Sequence, residues 1–449
     1  MTQTTRPFKV IISGGGVAGL SLALMLEKVG LDYVLLEAYS EIVSNKSGTG
    51  IVMLPNGNRI LDQLGCYESL VHLAGNPIES VSFKDPSGEL LSYTEGWQKR
   101  ASERYGYMAL WCDRGTVLQA MYDQIEDKSK ILVDKKVDVI QQTDSEVEVT
   151  TADGSVYRGD IIVGADGVHS RVRQEIAHHA SKMGLGEEYT AESVPSTYSC
   201  LFGISGKMEG LPEATLDYVL NKKFSYIIGT GPANRTYWGL MKNLGQTFHG
   251  SEIPRFGEKD KEEMIKEHWN DKIAPGVSVS DLYNNRLRPL FMAPMREYTY
   301  KRWHSGRMMM IGDAAHQMTV IIGQGGNQAV EDAAALTNHL VSALSSSTTE
   351  RLSYEEIQRV FEGYQQARFD RVSRMVELSH QRQLMDSLDT PELEEIMLHK
   401  FPATLPGSVV QRWDQTFEPA ACLYNLPVPA RAKEFRWVNE PKDSESKDS

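Results

Sequence analysis

Four cysteines in 449 residues are too few and too scattered to build a framework. Cys66, Cys112, Cys200 and Cys422 form no CxxC pair, which argues against a disulfide scaffold or a zinc site and fits a reducing compartment. Long apolar runs are missing too, and no stretch approaches the roughly 20 residues that span a bilayer. The start of the chain, Met1 to Lys9, is short and polar and does not read as a signal peptide. A cytoplasmic protein without a transmembrane segment is the expectation. There is no basic excess: the net charge of -13 argues against nucleic acid or an anionic membrane as the main partner. With 41% hydrophobic and 24% charged residues, the chain can bury a sizeable core.

Lys9 to Ser13 reads as a buried strand, followed by glycines and an apolar helix from Val17 to Val29 that stops at Gly30. Tyr33 to Glu37 is a second apolar run. Strand, turn, helix and strand in this order predict a βαβ unit with parallel pairing. Ser145 to Thr151 and Ser155 to Tyr157 flank Ala152-Asp153-Gly154, a hairpin signal. Asp160 to Val163 and Met308 to Ile311 are further buried strands. Between about 197 and 300 the residues alternate apolar and polar, as in a β-rich domain. Gln328 to Leu344 and Glu355 to about Asp386 read as helices, and the polar tail after Trp437 as disordered. The fold class is α/β: a Rossmann-like domain assembled from separated segments, with a β-rich domain inserted and helices at the C-terminal end.

Three motifs carry chemistry. The first is Gly14-Gly15-Gly16-Val17-Ala18-Gly19, a GxGxxG between strand and helix. Gly14, Gly16 and Gly19 permit a tight turn, close approach of a pyrophosphate and close helix packing, and the helix N-terminus faces the phosphates. Glu37, at the end of the second strand, can accept both hydroxyls of an adenosine ribose. A plain glycine-rich turn is the alternative, and the strand–helix context favours the dinucleotide. The second motif runs from Gly164 to Arg173. Asp166 either orders a diphosphate-bearing loop or belongs to an Asp-Gly turn with a helix cap at Ser170. The third is Gly312-Asp313-Ala314-Ala315-His316, followed by Gly323-Gln324-Gly325-Gly326-Asn327. Asp313 can bind a ribityl or ribose hydroxyl, and the glycines let backbone N–H groups approach a planar ring near the start of a helix. His316 reads as structural, and Glu331-Asp332 as a first-turn charge pair.

In this order the three segments resemble the flavoprotein aromatic hydroxylase family, with its GxGxxG, GADGxxSxVR and GDAAH…GQGxN motifs, from about Lys9 to Leu344. The resemblance is closest to fungal FAD-dependent monooxygenases of indole-terpenoid, prenylated indole alkaloid and meroterpenoid biosynthesis. Residues carrying it include Leu54-Pro55-Asn56-Gly57, Tyr198 to Ser205, His316 to Thr319, and Leu426 to Arg431. It implies an FAD-binding domain from segments 1–80, 105–190 and 285–345, a β-rich substrate domain from 81–104 and 191–284, a helical region at 350–438 and a disordered tail at 439–449. The implied FAD contacts are Glu37, Gly50 or its neighbour Val52, Arg114, Asp313 and Gly326, joined by Gly323 and Asn327 in the third motif, and Asp166 helps to place the FAD and NADPH diphosphates. Two departures stand out. Val320 and Ile322 occupy positions where relatives carry prolines, and Ser199 stands where several fungal relatives carry an arginine whose charge serine cannot supply.

The resemblance implies a monooxygenase in which NADPH (or NADH) reduces FAD, molecular oxygen adds at flavin C4a, and the hydroperoxide oxygenates a hydrophobic aromatic or alkene-bearing small molecule. The 2,3-bond of a prenylated indole, epoxidised or hydroxylated toward a hydroxyindolenine or spiro-oxindole, is the substrate expectation. No catalytic residue is fixed; Tyr226, Tyr198 and Arg114 are the candidates. Pocket residues are expected around Tyr198 to Ser205 and Tyr218 to Tyr226, with Tyr237, against the alternative of strand packing. A flavin-dependent dehydrogenase of the same fold and a non-catalytic flavin-binding protein are the rival readings. A halogenase is disfavoured because no WxWxIP-type motif is present.

Overall fold

The computed structural model describes residues 7–43, 50–75, 77–185, 193–347, 349–402 and 414–438, so the tail expected to be disordered lies outside the described residues. A six-stranded sheet has the order His304–Ser305, Met308–Met310, Ile161–Gly164, Lys9–Ser13, Asp32–Leu36, Ile131–Leu132. Every neighbouring pair is parallel except at the His304–Ser305 edge. Its central strands are continuous apolar runs, with Val10, Ile11, Ile12, Ile161, Ile162 and Val163 fully buried, as a sheet covered on both faces requires. The register is the important feature. Ser13 lies opposite both Leu36 and Gly164, and Gly164 opposite Met310. Strands from three distant parts of the chain therefore end in one line, and the three glycine-rich motifs leave the sheet from the same edge.

The second sheet has seven strands in the order Phe291–Arg296, Pro195–Ser205, Thr236–His249, Phe224–Thr230, Thr215–Asn221, Ser80–Lys84, Leu90–Thr94. Strand Phe291–Arg296, placed by the sequence reading among the nucleotide-binding segments, is an edge strand here, paired with Pro195–Ser205. The alternating region also includes two helices, Glu258–Glu267 and Val279–Asn284, which pack against the sheet's outer face. Alternation assigns each side chain to a face. Tyr218 lies opposite Ile227, and Val219 opposite Tyr226. The first pair faces inward, and the second belongs to the outer apolar cluster with Met264 and Leu282.

Two helices brace the interior. The cavity helix, Gly325–Ser346, begins at the third motif, and the long helix, Tyr354–Asp386, opens with a capping box in which Ser353 and Glu356 satisfy each other's backbone N–H groups. Beyond Asp386, helical structure among the described residues comprises the stretch 391–402, with a π-helical segment Ile396–Lys400, and one turn at 414–417. From 418 to 438 the chain is an irregular strap, held by Gln63 against the backbone of Leu423 and Leu426 and by Arg431 against Asp62 at 2.7 Å. No helix among the described residues is long and apolar enough to cross a membrane.

Glu331 and Asp332 are not the first-turn charge pair expected. The cavity helix starts at Gly325, so both lie beyond its first turn and face inward, fully buried. Arg368 of the long helix donates to Glu331 Oε2 at 2.6 Å and to Asp332 Oδ1 at 2.8 Å, and Arg371 donates to both Glu331 oxygens at 2.7 Å. Burial alone would raise these carboxyl pKa values, yet the facing arginines, with His316 beside Asp332, hold both below the usual carboxylate range. Glu331→Gln keeps the shape but leaves two buried guanidinium groups under-compensated. The expected loss is about 3–5 kcal/mol of stability, measured as the shift in the urea unfolding midpoint.

Candidate functional site

At the carboxyl edge of the parallel sheet the first motif turns sharply. Gly14 has φ +102°, and a β-carbon there would lie 2.6 Å from the Ala165 carbonyl oxygen. A β-carbon on Gly19 would lie 1.9 Å from the Gly14 carbonyl oxygen, so only glycine lets the first helix, Val17–Lys28, pack this closely on the turn. Gly16 caps that helix without a side-chain bond, and no acidic residue occupies the first turn, which leaves a positive helix end. Glu37 follows the second strand directly. Its carboxylate accepts from Gly15 N at 2.6 Å and Tyr39 N at 2.8 Å, so it shapes the turn as well as marking its acidic end.

The ribbon formed by Gly50–Met53 and Leu110–Asp113 brings the next group together. Gly50 lies opposite Asp113, Val52 opposite Trp111, and Arg114 starts the following helix. Arg114 also lies near Gly16, whose β-carbon would be 3.2 Å from its Nη2. Gly323 (φ +64°) and Gly326 face this ribbon, and added β-carbons would lie 2.1 Å from Val52 and 2.7 Å from Ile51. Asn327 is a positioning residue: its amide accepts from Leu54 N and donates to the Val52 and Gly323 carbonyls. All these bonds are internal, and its side chain does not line the cavity described below.

The second and third motifs lock together. Asp166 accepts from Arg171 N at 2.7 Å and Val172 N at 3.2 Å, and Ser170 accepts from Arg173 N at 2.9 Å. Both side chains therefore cap the helix Arg171–Lys182, as the Asp-Gly-turn alternative anticipates, while the neighbours Ala165, Gly167 and Val168 line the cavity. Arg173 donates to Val168 O and Ala314 O, tying one loop to the other. Asp332 accepts from Gly312 N at 2.9 Å and contacts His316 Nε2 at 2.6 Å, so His316 is turned away from the cavity in a structural role. Asp313 points the other way. Its side chain is exposed, but onto the cavity: surrounding protein raises its carboxyl pKa by desolvation, against the pull of His316 and Arg114.

One cavity of about 910 Å³ connects this edge with the inner face of the second sheet. Its first half is built from Gly16, Gly50, Arg114, Asp313, Gly323, Gly325 and Gly326. Its second is aromatic, with Phe83, Trp97, Trp111, Tyr218, Tyr237 and Phe401, and Val320, Ile321 and Ile322 pack with these rings. Tyr226 does not reach the cavity: one residue of alternation puts it on the outer face, where its hydroxyl donates to Asp271 at 2.7 Å. Tyr198 faces inward, but its hydroxyl is held by Asp389 at 2.9 Å and it does not line the cavity. Of the three catalytic candidates, only Arg114 does. Sequence reading missed the contribution of the C-terminal third, including Leu378, Arg382, Met385 and Phe417. The signal available was the helical spacing of 378, 382 and 385, which puts them on one face.

Next to Phe417, Glu418 has its carboxyl pushed up to about 7 by burial, with the hydrogen bond from Val438 N and then Arg59 and Arg371 acting in the opposite direction. The fold therefore favours the protonated form. Its stabilisation is complete below the ordinary value of 4.5 and is lost as pH rises through about 7. Glu418→Gln should flatten the fall in melting temperature between about pH 5 and about pH 8, measured by thermal unfolding across that range.

The chain is 35% identical over 434 residues to the FAD-dependent monooxygenase olcE of Penicillium canescens, covering 95% of this chain and 91% of that protein. It is 38% identical over 370 residues to the FAD-dependent monooxygenase spyC of Aspergillus fumigatus, covering 82% and 77%. The crystal structure of Klebsiella pneumoniae HpxO complexed with FAD and uric acid superposes with a TM-score of 0.73 at 21% identity, over 91% of this chain and 96% of that one. Residues 7–362 match the FAD binding domain family, and the chain belongs to that family.

Proposed function

We propose that this chain is an FAD-dependent monooxygenase that takes electrons from NADPH or NADH and places one atom of dioxygen on a hydrophobic aromatic or alkene-bearing small molecule. The observation that carries this reading is the single cavity: a glycine-walled polar half, where a dinucleotide fits, opens directly onto an aromatic half. The glycine cradle fits FAD because Gly14 and Gly19 admit no β-carbon and the helix end beside them lacks both a cap and a carboxylate. In this reading Gly14, Gly16 and the helix end receive the diphosphate, Glu37 the adenosine ribose, and Asp313 the ribityl chain. Gly50, Val52, Gly323 and Gly326 flank the ring system, with Arg114 beside them. FAD, when bound, supplies the electron transfer and oxygen activation that no side chain here can supply.

The residues of the chain do the rest. Arg114 puts a positive charge at the polar half, beside Asp313. Val320, Ile321 and Ile322 add apolar wall to the cavity beside the rings, which favours exclusion of water. Trp97, Trp111, Phe83 and Tyr218 line this half with aromatic side chains, which favours an aromatic substrate such as a prenylated indole oxidised at its 2,3-bond. The relatives' naming as FAD-dependent monooxygenases supports turnover over a non-catalytic binder.

Reduction of the yellow protein by NADPH without oxygen, followed by labelled dioxygen and a panel of prenylated indoles, tests the reading. Equal consumption of NADPH and dioxygen, with one labelled atom in the product, is the expected result. Reduction without labelled product across the panel would favour the dehydrogenase, and no reduction at all the binding protein. Glu37→Ala should weaken FAD binding about 10- to 100-fold, as expected for loss of charged hydrogen bonds, measured by fluorescence titration of the apoprotein.

A further inference from the structure

A charged pair, Arg382 and Asp386, stands at the aromatic half of the cavity. Arg382 stands on the long helix, on the stripe that Leu378 and Met385 share along the cavity. Its guanidinium lies over the rings of Phe83 and Tyr218, 4.9 and 4.5 Å from their centroids. Those two rings stack on each other at 5.1 Å, and Phe401 closes edge-on against Phe83 at 5.3 Å. Asp386, one turn along the helix, accepts from Arg382 Nε at 2.7 Å and is itself fully buried. Arg382 Nη2 is buried with no hydrogen-bond partner among the described residues, and so is Asp386 Oδ2.

A guanidinium carries five donors in one plane, and Asp386 engages the Nε edge. The aromatic faces attract the charge but satisfy no N–H. Nη2 is closed off even from water, but the Arg382 side chain is 25% exposed where it lines the cavity, and that open part of the guanidinium can donate to a ligand atom. A pure hydrocarbon would seal these donors from water and leave them unpaired. A ligand with an oxygen at the right end would satisfy them and stack its rings on the same wall.

We propose that Arg382 is the specificity-determining residue for the substrate, receiving a carbonyl or enolate oxygen of an otherwise apolar ring compound seated against Phe83, Tyr218 and Phe401. This rests on the reading of the aromatic half as the substrate site. Asp386 offsets the charge of Arg382, so the pair suits a neutral acceptor or a delocalised enolate rather than a compact, highly charged anion. Anchoring one oxygen fixes the orientation of the rings, which an all-apolar wall cannot do.

Equilibrium dialysis of the FAD-loaded protein with methyl naphthyl ketone and isopropenylnaphthalene, which share a shape and differ in the oxygen, tests this. The wild type should bind the ketone about 10-fold or more tighter, as a hydrogen bond to a charged group gives. Arg382→Met should lose that preference while binding of the hydrocarbon is unchanged. Arg382→Lys, a milder change that retains charge without the planar fork, should keep only part of it and serves if the Met variant does not fold. Equal binding of both probes by the wild type, a preference that survives in the variants, or binding of neither probe would overturn the proposal while the protein remains yellow. A chain that takes up no FAD would overturn the monooxygenase reading and this proposal with it.

Discussion

Two buried carboxylates hold the site together. Glu331 and Asp332 sit next to each other on the cavity helix, and through them Arg368 and Arg371 clamp the long helix against it. Asn56 Nδ2 reaches Glu331 at 2.7 Å from the helix that follows the Gly50–Met53 strand, and Asp332 receives Gly312 N and His316. Charges this deep are tolerated only when nearly every lone pair and proton is matched. That requirement fixes the third motif, the ribbon carrying Gly50 and Val52, and the two helices in one arrangement. The cavity helix then presents Gly325 and Gly326 at its wall, and the long helix presents Leu378, Arg382 and Met385.

The two sheets contribute opposite characters to one cavity, for reasons of strand geometry. Parallel strands in register end together, so their connecting loops converge at the carboxyl edge, and glycines at that edge leave backbone groups bare to a ligand. The largely antiparallel second sheet has two distinguishable faces, and its inner face supplies rings rather than loops. A cofactor that is part phosphate and part flat ring requires both surfaces side by side. Val320, Ile321 and Ile322 line that cavity together with the rings.

Much of this was legible from the chain. The strand–glycine–helix order around Gly14 to Gly19, the hairpin at Asp153-Gly154, the strands before Gly164 and Gly312, and both late helices follow from local periodicity and turn chemistry. These signals are short-range, and a residue's neighbours within one turn or one strand suffice to read them. Tyr226 escaped the same reading because alternation gives two faces without saying which is inner. Asn327 escaped it because a polar side chain near a ligand site can bond the ligand or the backbone beside it, and Asn327 bonds the backbone; for Asp166 the sequence left both options open, and one of its oxygens caps the helix. Glu331 and Asp332 were misplaced because the partners that justify burying them, Arg368 and Arg371, lie on a different helix.

By itself the sequence determined the α/β class, the three motifs and their order, since each is encoded by contiguous residues whose conformational preferences are local. Only the tertiary structure decided which side chains meet. It placed Arg382 over Phe83 and Tyr218, aimed Asp313 at the cavity and His316 away from it, and made the C-terminal third a wall of the site. The physical reason is that such choices are settled by packing and charge pairing between segments far apart in the chain, and local propensity carries no record of a partner it does not touch.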